Sequence, residues 1–178
     1  MRTDNSFLGD KIALRFSMIP KKKTLKVIDA YAGRGTIWKN IQKKYAGKIE
    51  IVKIDKEQKD EGFMFIGDNV KFLSSLPLHK YDVIDLDAYG VPYRQLKTVF
   101  ESKFKGMVFV TFIQSYQGRL PNEFLEDIGY TKKMIDKCPS LFSKKGQMKL
   151  EQWLAIHGIR KIIIRKASRK SYLGFQIQ

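Results

Sequence analysis

The sequence has little of the residue types that small proteins use for covalent or metal chemistry. Its 178 residues include 1 cysteine, Cys138, which excludes an internal disulfide and a thiolate-rich zinc site. The 2 histidines, His79 and His157, lie far apart and form no ligand or triad spacing. We therefore expect all three residues to have structural or surface roles.

Long apolar runs are also missing. No run approaches the roughly 20 residues of a membrane-spanning helix, and the N-terminal segment lacks the apolar core of a signal peptide. No internal repeat or low-complexity tract is visible. The sequence predicts one cytosolic domain over residues 1–178, long enough for a single core and without a membrane partner.

Charge of one sign dominates instead. The chain carries 34 lysines and arginines against 18 acidic residues, a formal net charge of +16. A surface this cationic favours polyanions, so nucleic acid is the expected partner. Solubility and binding to a membrane surface are the alternative roles for the same charge.

The order of the predicted elements indicates a parallel α/β sheet, because strand and helix patterns alternate along the chain. Residues 5–18 carry spaced apolar side chains that predict a short helix across the sheet edge, and residues 1–24 as a whole comprise this helix and a basic linker. Two final strands, at residues 159–166 and 172–177, are separated by too few residues for a crossover helix. They are therefore expected to form an antiparallel hairpin.

The clearest local pattern is a strand that ends at Asp29 and breaks into a turn containing Gly33 and Gly35. Glycines in such a turn let the backbone approach a ligand, and the helix that follows presents free N–H groups. A dinucleotide site would have a third glycine where this chain has Trp38. The pattern therefore predicts a cofactor site of another kind.

What remains, Asp-x-x-x-Gly-x-Gly, resembles motif I of the class I methyltransferases that use S-adenosylmethionine (SAM). The resemblance implies a Rossmann-like, seven-stranded, mostly parallel sheet with a C-terminal antiparallel hairpin and helices on both faces. It also implies that Asp29, Tyr31, Gly33 and Gly35 surround the amino-acid half of SAM.

Two further acids follow strands at the spacing that a cofactor site requires. Asp55 ends a strand about 20 residues after the glycine turn, where Rossmann-like folds place the acid that binds ribose hydroxyls. A solvated acid at a strand end is the alternative. In the resembled family, Asp68 with Asn69 would border the adenine amino group; Asp68 could also cap the helix that starts near Asn69.

A fourth strand leads into Asp87-Ala88-Tyr89-Gly90-Val91-Pro92. This segment is similar to the Asp-Pro-Phe-Gly-Ser-Pro element of the tRNA guanine N2-dimethyltransferases, with Ala88 in place of the first proline. The likeness implies a catalytic loop in which Asp87, beside the cofactor, accepts hydrogens from the acceptor amine, Tyr89 stacks on the base and Pro92 completes the loop. The alternative for Asp85 and Asp87 is a metal site, but hard cations need more oxygen ligands than these, so we expect none.

Residues 119–149 interrupt the alternation and are expected to overhang the active site as a substrate-recognition insert. The insert carries the lysines Lys132, Lys133, Lys137, Lys144, Lys145 and Lys149. We predict that Lys132, Lys133, Lys144 and Lys145 bind the phosphates of a substrate; a solvated basic face is the alternative for each of them.

Together these patterns predict a SAM-dependent methyltransferase that acts on nucleic acid, with RNA favoured over DNA and an exocyclic base nitrogen as the acceptor. DNA, protein and small-molecule methyltransferases are alternatives. So is a nucleic-acid-binding module that keeps the fold without catalysis.

Overall fold

The structure is a computed structural model that describes residues 7–114, 118–138, 144–167 and 170–178. Within these residues one 7-stranded sheet forms. Its strands in chain order are β1 Thr24–Asp29, β2 Lys48–Asp55, β3 Phe65–Ile66, β4 Val83–Leu86, β5 Gly106–Ile113, β6 Ile162–Ala167 and β7 Lys170–Ile177.

Helices and one 3-10 turn connect these strands. The helices are α1 Leu8–Met18, α2 Thr36–Gln42, α3 Asn69–Ser75, α4 Tyr93–Glu101, α5 Asn122–Asp127, α6 Lys132–Lys137 and α7 Gly146–Ile156, and the 3-10 turn is Leu78–Lys80. Every helix within the described ranges is too short or too polar to cross a membrane.

The strand order is β3-β2-β1-β4-β5-β7-β6. The pairs from β3 to β5 are all parallel, whereas β7 runs antiparallel to both β5 and β6. This arrangement confirms the predicted Rossmann-like sheet with its C-terminal antiparallel pair. It also inserts β7 between β5 and β6, so the last strand in the chain lies inside the sheet.

The sheet separates two apolar cores, because alternate residues of each strand point to opposite faces. On one face α1 and α2 cover a core that includes Leu14, Val27, Trp38, Val83 and Phe109. On the other face the core includes Ile28, Ile84, Leu96, Val108 and Trp153, from the sheet, α4 and α7. β5 is buried along most of its length, as expected for a strand between two others.

The first helix differs from its prediction in position. α1 packs on a face of the sheet, against α2, β6 and β7, and does not lie across an edge. The reason is its buried surface, which combines Leu14 with the charged side chains of Lys11 and Arg15, and these find partners on and just beyond β4. The sequence pattern starts this helix at residue 5; residues 5 and 6 lie outside the described part of the chain.

Several element ends also differ from the sequence prediction by one to three residues, and those of α2 and β6 differ most. The sequence predicts that α2 reaches Tyr45, but the helix ends at Gln42, where the chain tightens into a turn in which the Lys44 N–H donates to Ile41 O at 3.0 Å. β6 begins at Ile162, after the predicted residue 159, because the Ile159 N–H donates to Leu154 O at 3.0 Å and closes the end of α7.

Candidate active site

The predicted site residues lie where the strand order of the sheet reverses direction. β1 pairs with β2 on one side and with β4 on the other, so the chain moves outward from β1 in both directions. Open α/β sheets bind ligands in the crevice at the carboxyl ends of such strands. Asp29, Asp55 and Asp87 stand at or just beyond those ends, on β1, β2 and β4 respectively.

The glycine turn joins β1 to α2 in a conformation that favours glycine. Gly33 and Gly35 have φ angles of 52° and 66°, in the left-handed region. The Gly35 N–H donates to Ala32 O at 2.7 Å, which closes the turn, and α2 begins at the next residue. The backbone of the turn therefore lies next to the ends of β1 and β2.

Asp55 is bound to this turn. Its Oδ2 accepts the Gly33 N–H at 2.9 Å, and its Oδ1 accepts from Lys59 Nζ at 3.2 Å. The Asp55 side chain is 12% exposed, so the carboxylate borders solvent while holding the turn. The structure thus brings Asp55 and the glycine turn together, as the sequence predicts.

Asp68 and Asn69 have defined structural contacts. Asp68 is the N-cap of α3 and accepts the Val70 N–H at 2.8 Å, so the capping role is confirmed. Asn69 is buried and donates through Nδ2 to Ala30 O at 2.8 Å, which joins α3 to the end of β1. Burial raises the pKa of Tyr31, whose hydroxyl hydrogen-bonds to Asn69, to about 12.

Behind the site, a buried ion pair joins α1 to β4. Arg15 donates from Nε and Nη2 to the two oxygens of Asp85, at 2.6 Å each, and both side chains are 1% exposed. Trp38 adds a third donor to Asp85 at 2.8 Å. Asp85 therefore has a cation and an indole N–H as its partners, which favours a structural role over a metal-binding one.

Asp87 forms the outer part of this network. Lys11 Nζ donates to its Oδ2 at 2.8 Å, and the Thr111 hydroxyl donates to its Oδ1. Burial alone would raise the pKa of Asp87, but Arg15 and Lys11 outweigh it and hold the pKa below the ordinary value. Asp87 is therefore a carboxylate at neutral pH, fixed in orientation by two protein donors.

The pKa of Asp29, the remaining acid of this group, shifts in the opposite direction from that of Asp87. It stands beside Asp85 in the register of β1 and β4, and it is 5% exposed. Burial, together with the charges of Asp85 and Asp87, raises the pKa of Asp29 well above its ordinary value. A positive charge added at the end of β1 would offset the repulsion from Asp85 and Asp87 and favour the ionised form of Asp29.

The loop after Asp87 exposes its aromatic residue. The Tyr89 side chain is 73% exposed, so its ring is open to a planar ligand. Gly90 O accepts the Ile113 N–H at 2.9 Å, which ties the loop to the end of β5. Pro92 is the N-cap residue of α4 and is buried, so it anchors the loop and is not open to a ligand.

The lysines of the predicted insert are of two kinds, exposed and buried. Lys132 and Lys133 are exposed on α6, and Lys144 and Lys145 are exposed before α7. Lys149 differs, since it is 6% exposed and donates to Lys144 O at 2.8 Å. It is a structural residue. Residues 139–143 of the insert lie outside the described part of the chain.

Three residues of the site, Lys11, Arg15 and Thr111, were not predicted from the sequence. A signal for the first two was present, because charged residues four apart shared the apolar face of an amphipathic helix with Leu14. Such a face predicts buried partners of opposite charge. Thr111 gave no signal, since one threonine in an apolar strand is ordinary.

No family model matches the chain, and a search of curated proteins finds no match. Solved structures do match. A SAM-dependent methyltransferase from Archaeoglobus fulgidus has a TM-score of 0.56 at 14% identity, over 98% of this chain and 97% of that one. Precorrin-6y C5,15-methyltransferase from Geobacter metallireducens has a TM-score of 0.58 at 11% identity, over 94% and 87%.

Human N-acetylserotonin methyltransferase, solved with SAM, has a TM-score of 0.52 at 13% identity, over 97% of this chain and 52% of that chain. These likenesses agree with the strand order of the sheet. The chain has the fold of the class I SAM-dependent methyltransferases.

Proposed function

We propose that the protein is a SAM-dependent methyltransferase. The observation that carries the proposal is the meeting of the glycine turn with Asp55 and Asp29 at the point where the strand order reverses. The methyltransferase fold of the sheet adds support, because the solved proteins that share it include an enzyme bound to SAM.

The residues at this edge fit such a cofactor. When bound, SAM supplies a methyl group on a positively charged sulfonium. The raised pKa of Asp29 suits that charge, because a cation beside Asp29 would stabilise its ionised form. The backbone from Gly33 to Gly35 would hold the amino-acid half, Asp55 the ribose hydroxyls, and Asp68 with Asn69 the adenine.

Asp87 and Tyr89 are the residues proposed to act on the acceptor. Because its pKa is held below the ordinary value, Asp87 remains a carboxylate that accepts hydrogens from an amine and orients the nitrogen lone pair. Lys11 and Thr111 prevent the carboxylate from turning. The exposed Tyr89 ring would stack on the base that carries the amine.

RNA is the proposed substrate, and an exocyclic base nitrogen the proposed acceptor. The net charge of +16 favours a polyanion, and the segment from Asp87 to Pro92 resembles the tRNA guanine N2-dimethyltransferase element. A cytosolic location is part of the proposal.

A binding module without catalysis is the second candidate. It is favoured by one observation, namely that both oxygens of Asp87 already have protein donors. Each carboxylate oxygen has a second lone pair, so these donors leave room for an amine hydrogen. Catalysis therefore remains the first proposal.

The deciding experiment measures SAM binding by calorimetry and then methyl incorporation from labelled SAM into separate pools of RNA, DNA, protein and small metabolites. We expect SAM to bind and label to enter RNA. Label in another pool alone would replace the proposed substrate, whereas cofactor and RNA binding without any transfer would favour the binding module.

Asp55→Ala tests the cofactor site. Loss of the carboxylate removes charge-assisted hydrogen bonds worth about 1.5–3 kcal/mol each before water compensates. We expect the affinity for S-adenosylhomocysteine to fall about tenfold or more in calorimetry, because about 1.4 kcal/mol corresponds to that factor. Asp55→Asn, which can still accept the Gly33 N–H, should lie between the parent and Asp55→Ala.

Glu57→Ala is the matched control, because Glu57 is an acid of the same loop whose side chain is 73% exposed. Its affinity should stay within about twofold of the parent, since an exposed charge in water contributes little. Equal affinities for the parent and a folded Asp55→Ala protein would remove Asp55 from the site.

Replacing Lys132, Lys133, Lys144 and Lys145 with alanine tests the insert. If these exposed lysines bind phosphates, RNA affinity should depend less on salt after their loss. We expect the slope of log K against log salt to fall by up to about 3 for four contacts to single-stranded RNA. Calorimetry should show unchanged cofactor affinity, and a slope equal to that of the parent would exclude these lysines from the interface.

A further inference from the structure

The edge of the sheet opposite the candidate active site has a charge distribution that the proposed reaction does not use. Five segments lead into β1, β2, β4, β5 and β6 at this edge, namely residues 20–23, 43–48, 77–82, 102–105 and 157–161. We name these segments the basic edge. Its charged residues are Lys21, Lys22, Lys23, Lys43, Lys44, Lys48, Lys80, Lys103, Lys105, Arg160, Lys161 and a single acid, Asp82.

The cations of the basic edge point into solvent. Lys21, Lys22, Lys43, Lys44 and most of the others are exposed. Lys22 pairs with Asp82, and Lys48 pairs with Glu50, two residues further along β2. Within the described residues, Lys21, Lys23, Lys43 and Lys44 take part in no ion pair. Most of the positive charge at this edge therefore has no neutralising partner.

The fold holds these segments in a row. The Tyr45 hydroxyl accepts the Lys22 N–H at 2.8 Å and donates to Pro20 O, and the Lys48 N–H donates to Lys23 O at 2.9 Å. The segments before β1 and β2 are thus joined. From β2 to β6 the row crosses five strand intervals, about 24 Å at the usual spacing between strands.

The middle of the row is concave. A cavity of about 440 Å³ opens between the segments before β1, β4 and β5 and the end of β7. Met18 and Met107 line it, together with Lys22 and Lys105. A strand of nucleic acid crossing the cavity would meet both lysines.

We propose that the basic edge is an RNA-docking surface, distinct from the candidate active site and able to bind the RNA backbone without the cofactor. A row of about 24 Å is long enough to contact several consecutive phosphates of one strand. Neutralising phosphates along such a row releases counterions, which is the main source of affinity without sequence preference. The choice of RNA as the polyanion rests on the proposed function.

Stabilisation of helices and binding to a membrane both explain the basic edge less well than RNA docking does. Cations near helix C-termini stabilise the helix dipole, which accounts for Lys43 and Lys44 after α2 but not for Lys21, Lys23 or Lys105 next to the strands. Binding at a membrane surface needs apolar side chains beside the cations. Among the described residues, none of the exposed large hydrophobics lies within the five segments, and those nearest in sequence are Phe16, Ile156 and Ile163, one each on α1, α7 and β6.

The test compares two variants with the same loss of four positive charges. In the edge variant, Lys21, Lys23, Lys43 and Lys44 become alanine. In the control variant, Lys39, Lys56, Lys71 and Lys166, which are exposed and lie outside both the basic edge and the insert, become alanine, and binding should stay within about twofold of the parent. Fluorescence anisotropy without cofactor measures binding to oligouridines of 4 and 12 nucleotides over a range of salt. The parent protein should bind the longer probe with the steeper salt dependence, and the edge variant should bind it about tenfold or more weakly at about 0.15 M salt.

Protection from acetylation gives a second measurement that needs no variant. With the 12-nucleotide probe bound to the parent protein, mass spectrometry should show Lys21, Lys23, Lys43 and Lys44 protected and the exposed Lys71 on α3 unprotected. This result keeps the proposal open to test if the edge variant fails to fold.

The outcomes are distinct. A folded edge variant that binds the 12-nucleotide probe like the parent overturns the proposal, whether or not its melting temperature has fallen. The proposal is also overturned if the parent protein binds vesicles containing phosphatidylserine and the edge variant loses this binding while its RNA binding is unchanged. The binding measurements contain no cofactor, so they do not depend on catalysis. Absence of methyl transfer in the labelling experiment would therefore refute the proposed function without affecting the docking surface.

Discussion

Replacing Asp87 with alanine is expected to slow methyl transfer in a single turnover by about a hundredfold or more, which corresponds to about 2.7 kcal/mol. Positive charge develops on the acceptor nitrogen as it approaches the methyl group, so a carboxylate that holds the amine hydrogens binds the transition state more tightly than the ground state. Rapid-quench measurements with saturating SAM and RNA give this rate directly. The affinity for the cofactor should change little, because Asp87 acts on the acceptor.

The variant needs a control, because loss of Asp87 also leaves the nearly buried Lys11 without its partner. Lys11→Met removes the same ion pair and keeps the carboxylate, which Thr111 still holds. If Asp87 acts on the acceptor, Lys11→Met should lose less than about tenfold in rate. Equal losses in the two variants would mean that the position of α1, and not the carboxylate, limits transfer.

Tyr89→Ala should have a different signature. Loss of one stacked base costs about 1–3 kcal/mol, and this loss should weaken RNA binding more than it slows the single-turnover step.

If Asp87→Ala transfers methyl groups at the parent rate, the fold assignment stands, but Asp87 is not the group that orients the amine.

Replacing Arg15 with methionine is expected to lower the free energy of unfolding by about 3–5 kcal/mol, because Asp85 would remain buried without its cation. Urea denaturation followed by tryptophan fluorescence measures the change. Since marginal domains have only about 5–15 kcal/mol in total, this single substitution should remove a large part of the stability.

The double variant Arg15→Met with Asp85→Leu distinguishes loss of the whole ion pair from loss of one partner. Replacing a buried ion pair by apolar side chains of similar volume is often neutral or stabilising, so the double variant should recover most of the loss. It should not recover all of it, because Trp38 Nε1 also loses its acceptor. A single Arg15→Met variant within about 1 kcal/mol of the parent would contradict the structural role assigned to the ion pair.

The sequence was sufficient to predict the sheet because its strands are short apolar runs, several of which end at an acid or a turn. Asp29 and Asp55 mark the ends of β1 and β2, and the brief connection before β7 permits only an antiparallel pair. The positions of individual ends were less predictable. The predicted ends of α2 and β6 each miss the observed ends by three residues, because tight turns that the apolar pattern does not mark lie there.

Only the part of the site formed by the glycine turn and the acids at the strand ends could be predicted from the sequence. The cationic partners of Asp85 and Asp87 come from α1, which lies 70 and 76 residues away in sequence. No local periodicity connects residues so distant. The pKa of Asp29 is raised by burial and by the charges of Asp85 and Asp87, whereas the pKa of Asp87 is lowered because the charges of Arg15 and Lys11 outweigh its burial.

The place of β7 inside the sheet has a consequence for synthesis on the ribosome. β5 pairs with β7 from Gly106 opposite Ile177 to Ile113 opposite Lys170, so β5 is made well before its antiparallel partner. At about 5–20 residues per second, the interval is about 3–11 seconds. Throughout that time the nascent chain carries β5, apolar along most of its length, as an open edge able to pair with another chain. Chaperone cover at this stage would protect the strand until residues 170–177 emerge.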